Sequence, residues 1–231
     1  MPVERVEPSR DCPRCPRLVA FREDWRVKEP RWHNAPVPSF GPIDARLLVV
    51  GLAPGLQGAN RTGRPFTGDY AGDLLYPTLI EYGFAKGRYE ERVDDGLTMV
   101  DTRISNAVRC VPPENKPATT EIRTCNDFLK AEIADMPKLR ALISLGRIAH
   151  DASIVALGGR RAGFAFAHGC QHMLGEIALF NSYHCSRYNT NTGVLTPEMF
   201  RDVFAKARAY LGCAASQPNT SSAFLSGGKT G

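Results

Sequence analysis

The sequence lacks the long hydrophobic runs that a membrane protein needs. No stretch of its 231 residues reaches the roughly eighteen consecutive apolar residues of a transmembrane helix, so we expect no membrane contact. Residues 1–10 hold no hydrophobic segment, which argues against a secretory signal. These absences predict a cytoplasmic protein, and stable disulfides are rare in that reducing compartment.

Composition indicates one folded domain. Hydrophobic residues make up 43% of the chain, which is enough for one full core, whereas 231 residues are too few for two large domains. We assign residues 1–215 to this domain and expect it to be monomeric. Residues 216–231 are rich in Ser, Gly, Thr and Asn and are predicted to be a disordered polar tail.

The charge balance is mildly basic, with a formal net charge of +5 at pH 7. This charge is compatible with a nucleic-acid partner, although many other enzymes are as basic. The positions of the arginines are more informative than the net charge, because several of them flank the loops described below. Seven are expected to lie along a phosphate track: Arg61, Arg64, Arg103, Arg109, Arg160, Arg161 and Arg187.

Strand and helix patterns alternate along the chain. Apolar or alternating runs predict strands at 46–50, 97–111, 141–145, 164–172 and 178–184. Helical spacing of apolar residues predicts helices within 11–34 and at 72–83, 121–136, 147–157 and 196–212. Elements of this length in this order predict an α/β domain, with a central and mostly parallel sheet flanked by helices on both faces.

The loop at 51–69 is the most informative segment of the chain. It follows a buried strand and contains five glycines and two prolines, so its backbone can bend tightly and approach a ligand closely. Open α/β sheets place their sites at the carboxyl ends of parallel strands. The loop has no Gly-Lys-Ser/Thr, which excludes a P-loop, and it is no dinucleotide fingerprint either.

Four cysteines form a second pattern. Cys12 and Cys15 are separated by two residues, and Cys110 and Cys125 follow much later in the chain. In a reducing compartment, paired cysteines of this kind point to metal binding. Four thiolates suit either tetrahedral zinc or an iron–sulfur cluster. Cys125 also has the alternative role of a small apolar residue on a helix face.

Three motifs carry a family resemblance. The first is Gly-Leu-Ala-Pro at 51–54 followed by Gly-Ala-Asn-Arg-Thr-Gly-Arg-Pro-Phe-Thr-Gly-Asp at 58–69, and the second is Asn-Ala-Val-Arg-Cys at 106–110. The third is His-Cys-Ser-Arg-Tyr-Asn-Thr-Asn-Thr-Gly at 184–193, in which Cys185 replaces a proline. Over roughly residues 12–212, the chain resembles family 5 (type b) of the uracil-DNA glycosylase superfamily.

This resemblance implies a DNA repair enzyme. Such an enzyme flips uracil, and other deaminated bases such as hypoxanthine, out of DNA and hydrolyses the N-glycosidic bond to leave an abasic site. No lysine stands in the motifs, so a lyase step through a Schiff base is not expected. Two other classes stay open: a non-catalytic DNA-binding module on the same fold, and a zinc-stabilised hydrolase that acts on free nucleosides.

The resemblance also assigns roles to residues. Phe66 stacks on the base, Asn106 reads its edge, and His184 donates a hydrogen bond to its O2. Asp69 activates water or supports the sugar cation, although it is equally placed to be a helix N-cap. The expected base-binding residues are Gly51, Ala53, Gln57, Phe66 and Asn106. The expected DNA-binding residues are Asn60, Arg61, Ser186, Arg187, Tyr188 and Asn189.

Two further consequences follow from the resemblance. Other branches of the superfamily place a carboxylate or Asn where this chain has Ala53, and Ala53 cannot orient a water molecule. Gln57 and Asn60 are therefore secondary candidates beside Asp69. The family's cluster ligands match Cys12, Cys15, Cys110 and Cys125, which implies a structural [4Fe–4S] cluster. Cys170, Cys185 and Cys213 are expected to be ordinary thiols.

Overall fold

The computed structural model describes residues 7–214, and the tail predicted at 216–231 lies outside this range. Its centre is a five-stranded sheet. In sheet order, the strands are β4 (Thr102–Asn106), β1 (Leu47–Gly51), β5 (Ala141–Leu145), β7 (Ile177–Ser182) and β6 (Gln171–Leu174). The first four are parallel, and only the edge strand β6 is antiparallel. The predicted mostly parallel sheet is confirmed.

Helices cover both faces of this sheet. Leu47 and Val49 of β1 point to the face packed by α3 (Tyr70–Glu81) and α7 (Pro197–Ala214). Leu48 and Val50 point to the opposite face, which packs against α4 (Thr119–Ala134) and α5 (Arg147–Ala156). Strands buried on both faces need continuous apolar runs, and that is the pattern that made β1 and β5 readable from sequence.

The remaining elements are short or peripheral. Helix α1 (Pro16–Lys28) buries Leu18 and precedes the core. Helices α2 (Ala59–Thr62) and α6 (Arg187–Asn191) interrupt the loops after β1 and β7, and β2 (Ala85–Lys86) pairs with β3 (Thr98–Met99). Single 3-10 turns occupy Pro113–Asn115 and Arg161–Gly163. Within the described residues, no helix has the length and apolarity to cross a membrane.

Two predicted strands were wrong in extent. The strand expected at 97–111 is split into β3 and β4 by Asp101, which has a φ of 51° and binds Arg46 through its carboxylate. The strand expected at 164–172 is mostly irregular. Histidine rings, rather than a neighbouring strand, bond the Phe164 and Ala165 carbonyls, and only residues 171–172 enter β6.

The strand ends position the functional loops. In the parallel register, Gly51 at the end of β1 pairs with Asn106 at the end of β4. Strand β7 ends at the same edge of the sheet, two residues before His184. The loops after β1, β4 and β7 therefore open on one edge, where open α/β sheets hold their sites.

Candidate active site

A cavity of about 540 Å³ opens at the carboxyl edge of the sheet. This volume is in the ordinary range for small-molecule sites. Eight predicted site residues line it: Ala53, Gln57, Phe66, Asp69, Asn106, His184, Ser186 and Arg187. Residues that are more than 130 positions apart in sequence thus meet because their strands end at one edge.

Phe66 and His184 face each other in this cavity. Their ring centroids lie 6.3 Å apart, with an interplanar angle of 30°. Phe66 is 6% exposed and has a φ of 52°, which is unusual for a residue with a Cβ atom. Gly51 lies behind the pair: a Cβ atom there would collide with the Phe66 ring and the Asn106 carboxamide. Gly51 therefore acts by having no side chain, not by contacting a ligand with one.

Asn106 presents an unsatisfied carboxamide at the cavity wall. The side chain is 3% exposed, and its Oδ1 atom has no hydrogen-bond partner among the described residues. A buried acceptor without a donor costs about 1–3 kcal/mol. A ligand that brings an N–H group to this wall would remove that cost.

His184 lies on a loop held by its own neighbours. The His184 carbonyl accepts a hydrogen bond of 2.8 Å from Asn189 Nδ2, and Ser186 Oγ caps α6 by accepting from the Asn189 N–H. Cys185 is fully buried, and its Sγ donates to the Ala71 carbonyl at 3.6 Å, which packs the loop against α3. Desolvation lowers the pKa of His184 to about 4, so its ring is neutral near pH 7.

Asp69 performs the helix-capping role and also lines the cavity. Its Oδ1 accepts a hydrogen bond of 3.2 Å from the Ala71 N–H at the start of α3. Its Oδ2 lies against Gly55 and Gly58, which leave room for it because they carry no side chain. Burial raises the pKa of Asp69 above its usual 3.8, although backbone N–H groups of α3 oppose that shift. The N-cap is thus observed and leaves Oδ2 for another role.

Ala53 and Gln57, both expected to bind the base, also line the cavity. Ala53 is half-buried and packs towards the cluster of cysteines on its other side. Gln57 is exposed, and its carbonyl accepts a hydrogen bond of 2.7 Å from Arg61 Nε. The Gln57 carboxamide is therefore at the mouth, whereas Asp69 is inside.

Several residues expected to contact DNA are used within the protein. Asn60 is 1% exposed and donates through Nδ2 to Asn34 Oδ1 at 2.8 Å, so its side chain does not reach a surface. Arg64, Arg103 and Arg109 are buried in ion pairs, which corrects the phosphate track expected from sequence. The expected residues that stay exposed are Arg61, Arg160, Arg161, Arg187 and Tyr188.

Two polar cavity-lining residues were given no role by the sequence analysis. Asn115 reaches the cavity from the turn after β4, where Glu114 and Asn115 both have positive φ. Tyr70 lines the wall at the start of α3, and the Arg187 guanidinium lies 5.3 Å from the centroid of its ring. An Asn in a Pro-rich loop was the available signal for Asn115, because Asn tolerates this backbone conformation.

The four predicted cysteine ligands line one small cavity near α1. Burial and the neighbouring thiols raise the pKa of Cys110 to about 12, and burial raises that of Cys125 to about 11. Arg22 lines the same cavity and is 3% exposed; its Nε makes no hydrogen bond within the described residues and lies 3.5 Å from Glu23 Oε1. Over residues 7–214, no three His, Cys, Asp or Glu side chains are arranged to hold a single metal ion.

Fold and cavity together define a class of protein. It is an α/β protein whose parallel sheet carries, at its carboxyl edge, an aromatic face, a carboxamide and a neutral imidazole around one cavity. A planar ring with hydrogen-bonding edges is the ligand that such a set of groups suits.

Comparison with known proteins gives the family. A family model described as "Uracil DNA glycosylase superfamily" matches residues 38–208. The chain is 44% identical over 208 residues to a type-5 uracil-DNA glycosylase of Thermus thermophilus, covering 87% of this chain and 94% of that protein. It is 38% identical over 207 residues to a type-5 uracil-DNA glycosylase of Pyrobaculum aerophilum, covering 88% and 90%. The chain belongs to the uracil DNA glycosylase superfamily.

A more distant relative completes the comparison. A type-4 uracil-DNA glycosylase of Pyrobaculum aerophilum is 34% identical over 154 residues, which cover 66% of this chain and 64% of that protein. The two type-5 relatives, at higher identity, confirm the resemblance to family 5 drawn from the sequence motifs.

Proposed function

We propose that this chain is a uracil-DNA glycosylase of the type-5 branch. It takes an extruded uracil into the 540 Å³ cavity, hydrolyses the N-glycosidic bond and leaves an abasic site in the DNA. The observation that carries the proposal is the meeting of Phe66, Asn106 and His184 around that cavity. Base extrusion costs a few kcal/mol, which stacking and hydrogen bonds to the base edge must offset.

Each of the three groups matches one part of uracil. The Phe66 ring offers a stacking face, which is worth about 1–3 kcal/mol per base. Asn106 offers a donor and an acceptor to the Watson–Crick edge, and its unpaired Oδ1 matches the N3–H of uracil. Neutral His184 donates to O2, where negative charge develops as the bond breaks.

Asp69 is the residue proposed to act on the attacking water and on the sugar. Oδ1 is held by the N-terminus of α3, so Oδ2 is fixed in place before any substrate arrives. Ala53 provides no polar group, and Asn60 is committed to Asn34, which leaves Asp69 as the carboxylate of the cavity. Its charge supports an oxocarbenium-like sugar and orients the attacking water, help worth about 10²–10⁴-fold in rate.

The cavity favours hydrolysis without a lyase step. None of the side chains that line it within residues 7–214 is a lysine, so no amine is placed for a Schiff base. Its small and apolar wall at Ala53 leaves room for bases other than uracil, and we include hypoxanthine in the proposed range. Exposed Arg61, Arg187 and Tyr188 are the proposed contacts to DNA; Arg187 lines the cavity, and Arg61 bonds the carbonyl of the cavity residue Gln57.

A structural [4Fe–4S] cluster is part of the proposal. Cys12, Cys15, Cys110 and Cys125 surround one cavity and form the all-thiolate donor set that such clusters use. Arg22 lines the same cavity, and this buried cation suits an anionic group there. Bound, the cluster would tie the N-terminal segment to β4 and α4. Cytoplasmic placement and a monomeric state stay predictions.

The test is release of free uracil from duplex DNA, with deoxyuridine as the second substrate. We expect release from DNA only. His184→Ala should lower the single-turnover rate about 10²–10³-fold, while His172→Ala, outside the cavity, should not. Duplex binding without uracil release would show a non-catalytic module, and cleavage of deoxyuridine alone would show a nucleoside hydrolase.

A further inference from the structure

We propose that Tyr89 is a positioning residue for the stacking face of Phe66, and that the buried Arg64–Asp95 pair holds Tyr89 in place. The inference rests on the proposed function, because it explains how Phe66 is kept ready for a base. Tyr89 and Asp95 belong to the segment between β2 and β3, to which the sequence motifs assign nothing.

Phe66 needs outside support to keep its backbone conformation. Its φ of 52° lies in the left-handed region, which residues with a Cβ atom rarely adopt. Such conformations persist only where the surroundings over-determine them, and they cluster at functional sites. The question is therefore which groups hold the segment Pro65–Gly68 in this shape.

Tyr89 bonds this segment on both sides of Thr67. Its hydroxyl donates to the Phe66 carbonyl at 3.2 Å and accepts from the Gly68 N–H at 3.3 Å. Gly72 makes the approach possible, because a Cβ atom there would collide with the Phe66 carbonyl and the Tyr89 hydroxyl. One side chain thus fixes the two peptide groups that follow the Phe66 Cα atom.

Arg64 connects Tyr89 to the same segment through a buried ion pair. The guanidinium binds both carboxylate oxygens of Asp95 at 2.8 and 2.6 Å, with side-chain exposures of 5% and 0%. Its Nε donates to Thr67 Oγ1 at 2.7 Å. Its centre lies 5.3, 5.4 and 5.8 Å from the ring centroids of Phe40, Tyr76 and Tyr89.

Asp95 in turn shapes the segment that carries Tyr89. Its carboxylate accepts backbone N–H groups from Glu90 at 3.1 Å and Leu97 at 3.0 Å. The ion pair therefore links the chain on both sides: Arg64 lies two residues before Phe66, and Glu90 follows Tyr89 directly. Losing one partner would leave the other charge buried without compensation.

The experiment is a double-mutant cycle measured by single-turnover uracil release at saturating enzyme. Tyr89→Phe removes the hydroxyl and keeps the ring, and we expect about a tenfold slower rate with little change in duplex affinity, because two hydrogen bonds are lost. Phe66→Ala alone should also slow release about tenfold or more. In the Phe66→Ala background, adding Tyr89→Phe should change the rate less than twofold.

Two further variants sharpen the cycle. Tyr210→Phe loses a hydroxyl bond to the Glu176 carbonyl outside the cavity, and it should leave the rate unchanged. Asp95→Asn keeps the side-chain shape but removes the charge, and it should slow release only while Phe66 is present. Melting temperatures of all variants report folding separately from rate.

The outcomes separate the two proposals. A Tyr89→Phe enzyme with the wild-type rate overturns the inference, and so does an equal loss of rate with and without Phe66. If Phe66→Ala itself excises uracil at the wild-type rate, the stacking role in the proposed function is wrong and the inference falls with it. A Tyr89 effect confined to the Phe66 background supports both.

Discussion

Two residues of the cavity have energetically unfavourable arrangements. Phe66 keeps a left-handed backbone conformation, and Asn106 keeps an unpaired buried oxygen. Gly51 allows both to approach, since any side chain there would collide with them. A ligand N–H group would remove the cost at Asn106, whereas the Phe66 backbone conformation is held by contacts within the protein.

Asp69 combines two roles that a pair of substitutions can separate. Asn also caps helices well, so Asp69→Asn should keep α3 and the melting temperature while removing the charge. We expect Asp69→Asn to slow excision of uracil and hypoxanthine by a similar factor, about 10²–10⁴-fold. Asp69→Ala should show the same loss and also lose about 1 kcal/mol of stability. Single-turnover rates and thermal melts measure both effects.

The pH dependence gives the second readout of this prediction. Because the pKa of Asp69 is raised above 3.8, the wild-type rate should fall on acidification before the pH reaches 3.8. In Asp69→Asn the Asp69 step should be missing, and of these two groups only His184 would still titrate, near pH 4. His184 should add no step near 6.5, because its pKa is about 4 and its ring is neutral above that pH. If Asp69→Asn kept the wild-type rate, Asp69 would have only the helix-capping role.

At the scale of elements, the cysteine cavity joins three parts of the chain. Cys12 and Cys15 precede α1, Cys110 follows β4, and Cys125 lies on α4. Helix α1 buries one apolar residue, Leu18, and its Arg17 guanidinium binds Glu121 of α4. A ligand shared by these cysteines would hold the N-terminal segment against the rest of the domain, where few apolar contacts do so.

The cluster prediction can be tested by comparing a substitution at a predicted ligand cysteine with one at a cysteine outside the cavity. Cys110→Ser should lose iron and the broad visible absorbance of an iron–sulfur protein, and its melting temperature should fall because the ligand holds separate elements together. Cys170→Ser is the matched control, since Cys170 lies outside that cavity. Metal analysis and absorbance check both. A colourless and fully active wild-type protein with one bound zinc would contradict the prediction.

At the scale of the whole molecule, a buried charge network connects the sheet edge to α4 and to residue 7. Glu132 on α4 accepts hydrogen bonds from Arg103 Nε at 2.6 Å and from Ser105 Oγ at 2.6 Å. Arg109 lies 3.3 Å from the same carboxylate, and both arginines also pair with Glu7. Arg103 and Arg109, which were expected to bind phosphates, therefore serve the fold.

Breaking this network should lower stability without changing the chemistry. Glu132→Gln leaves two buried guanidinium groups undercompensated, and we expect a loss of about 3–5 kcal/mol in the free energy of unfolding at pH 7. Burial alone would raise the pKa of Glu132, but Arg109 and Arg103 hold it below its usual 4.5. The stabilisation is therefore present above pH 4.5 and is lost as the pH falls through the lowered pKa.

Urea unfolding at pH 7 and below pH 4 measures this effect. The difference in the free energy of unfolding between wild type and Glu132→Gln should be smaller at the lower pH. Glu176→Gln is the matched control. Its carboxylate is 89% exposed and lies 3.7 Å from Arg140, so its loss should cost little at either pH. Equal stability of both variants would show that the network is dispensable.

The parallel strands, the main helices and the three loops that carry the site could be predicted from the sequence alone. Continuous apolar runs such as 47–50 and glycines at the strand ends are local signals, and parallel strands must end at one edge. Phe66, Asn106, Asp69 and His184 could be named in advance because the motifs around them are long and resemble a family.

The use of the remaining side chains could be known only from the folded chain. Whether an arginine binds phosphate or a buried glutamate depends on partners far away in the chain, as Arg109 and Glu132 show. Asn60 was expected to contact DNA, but its side chain bonds Asn34. The contact of Tyr89 with the Phe66 carbonyl had no signal in the local sequence. Burial and pairing are properties of the packed molecule, because they depend on contacts between residues distant in sequence.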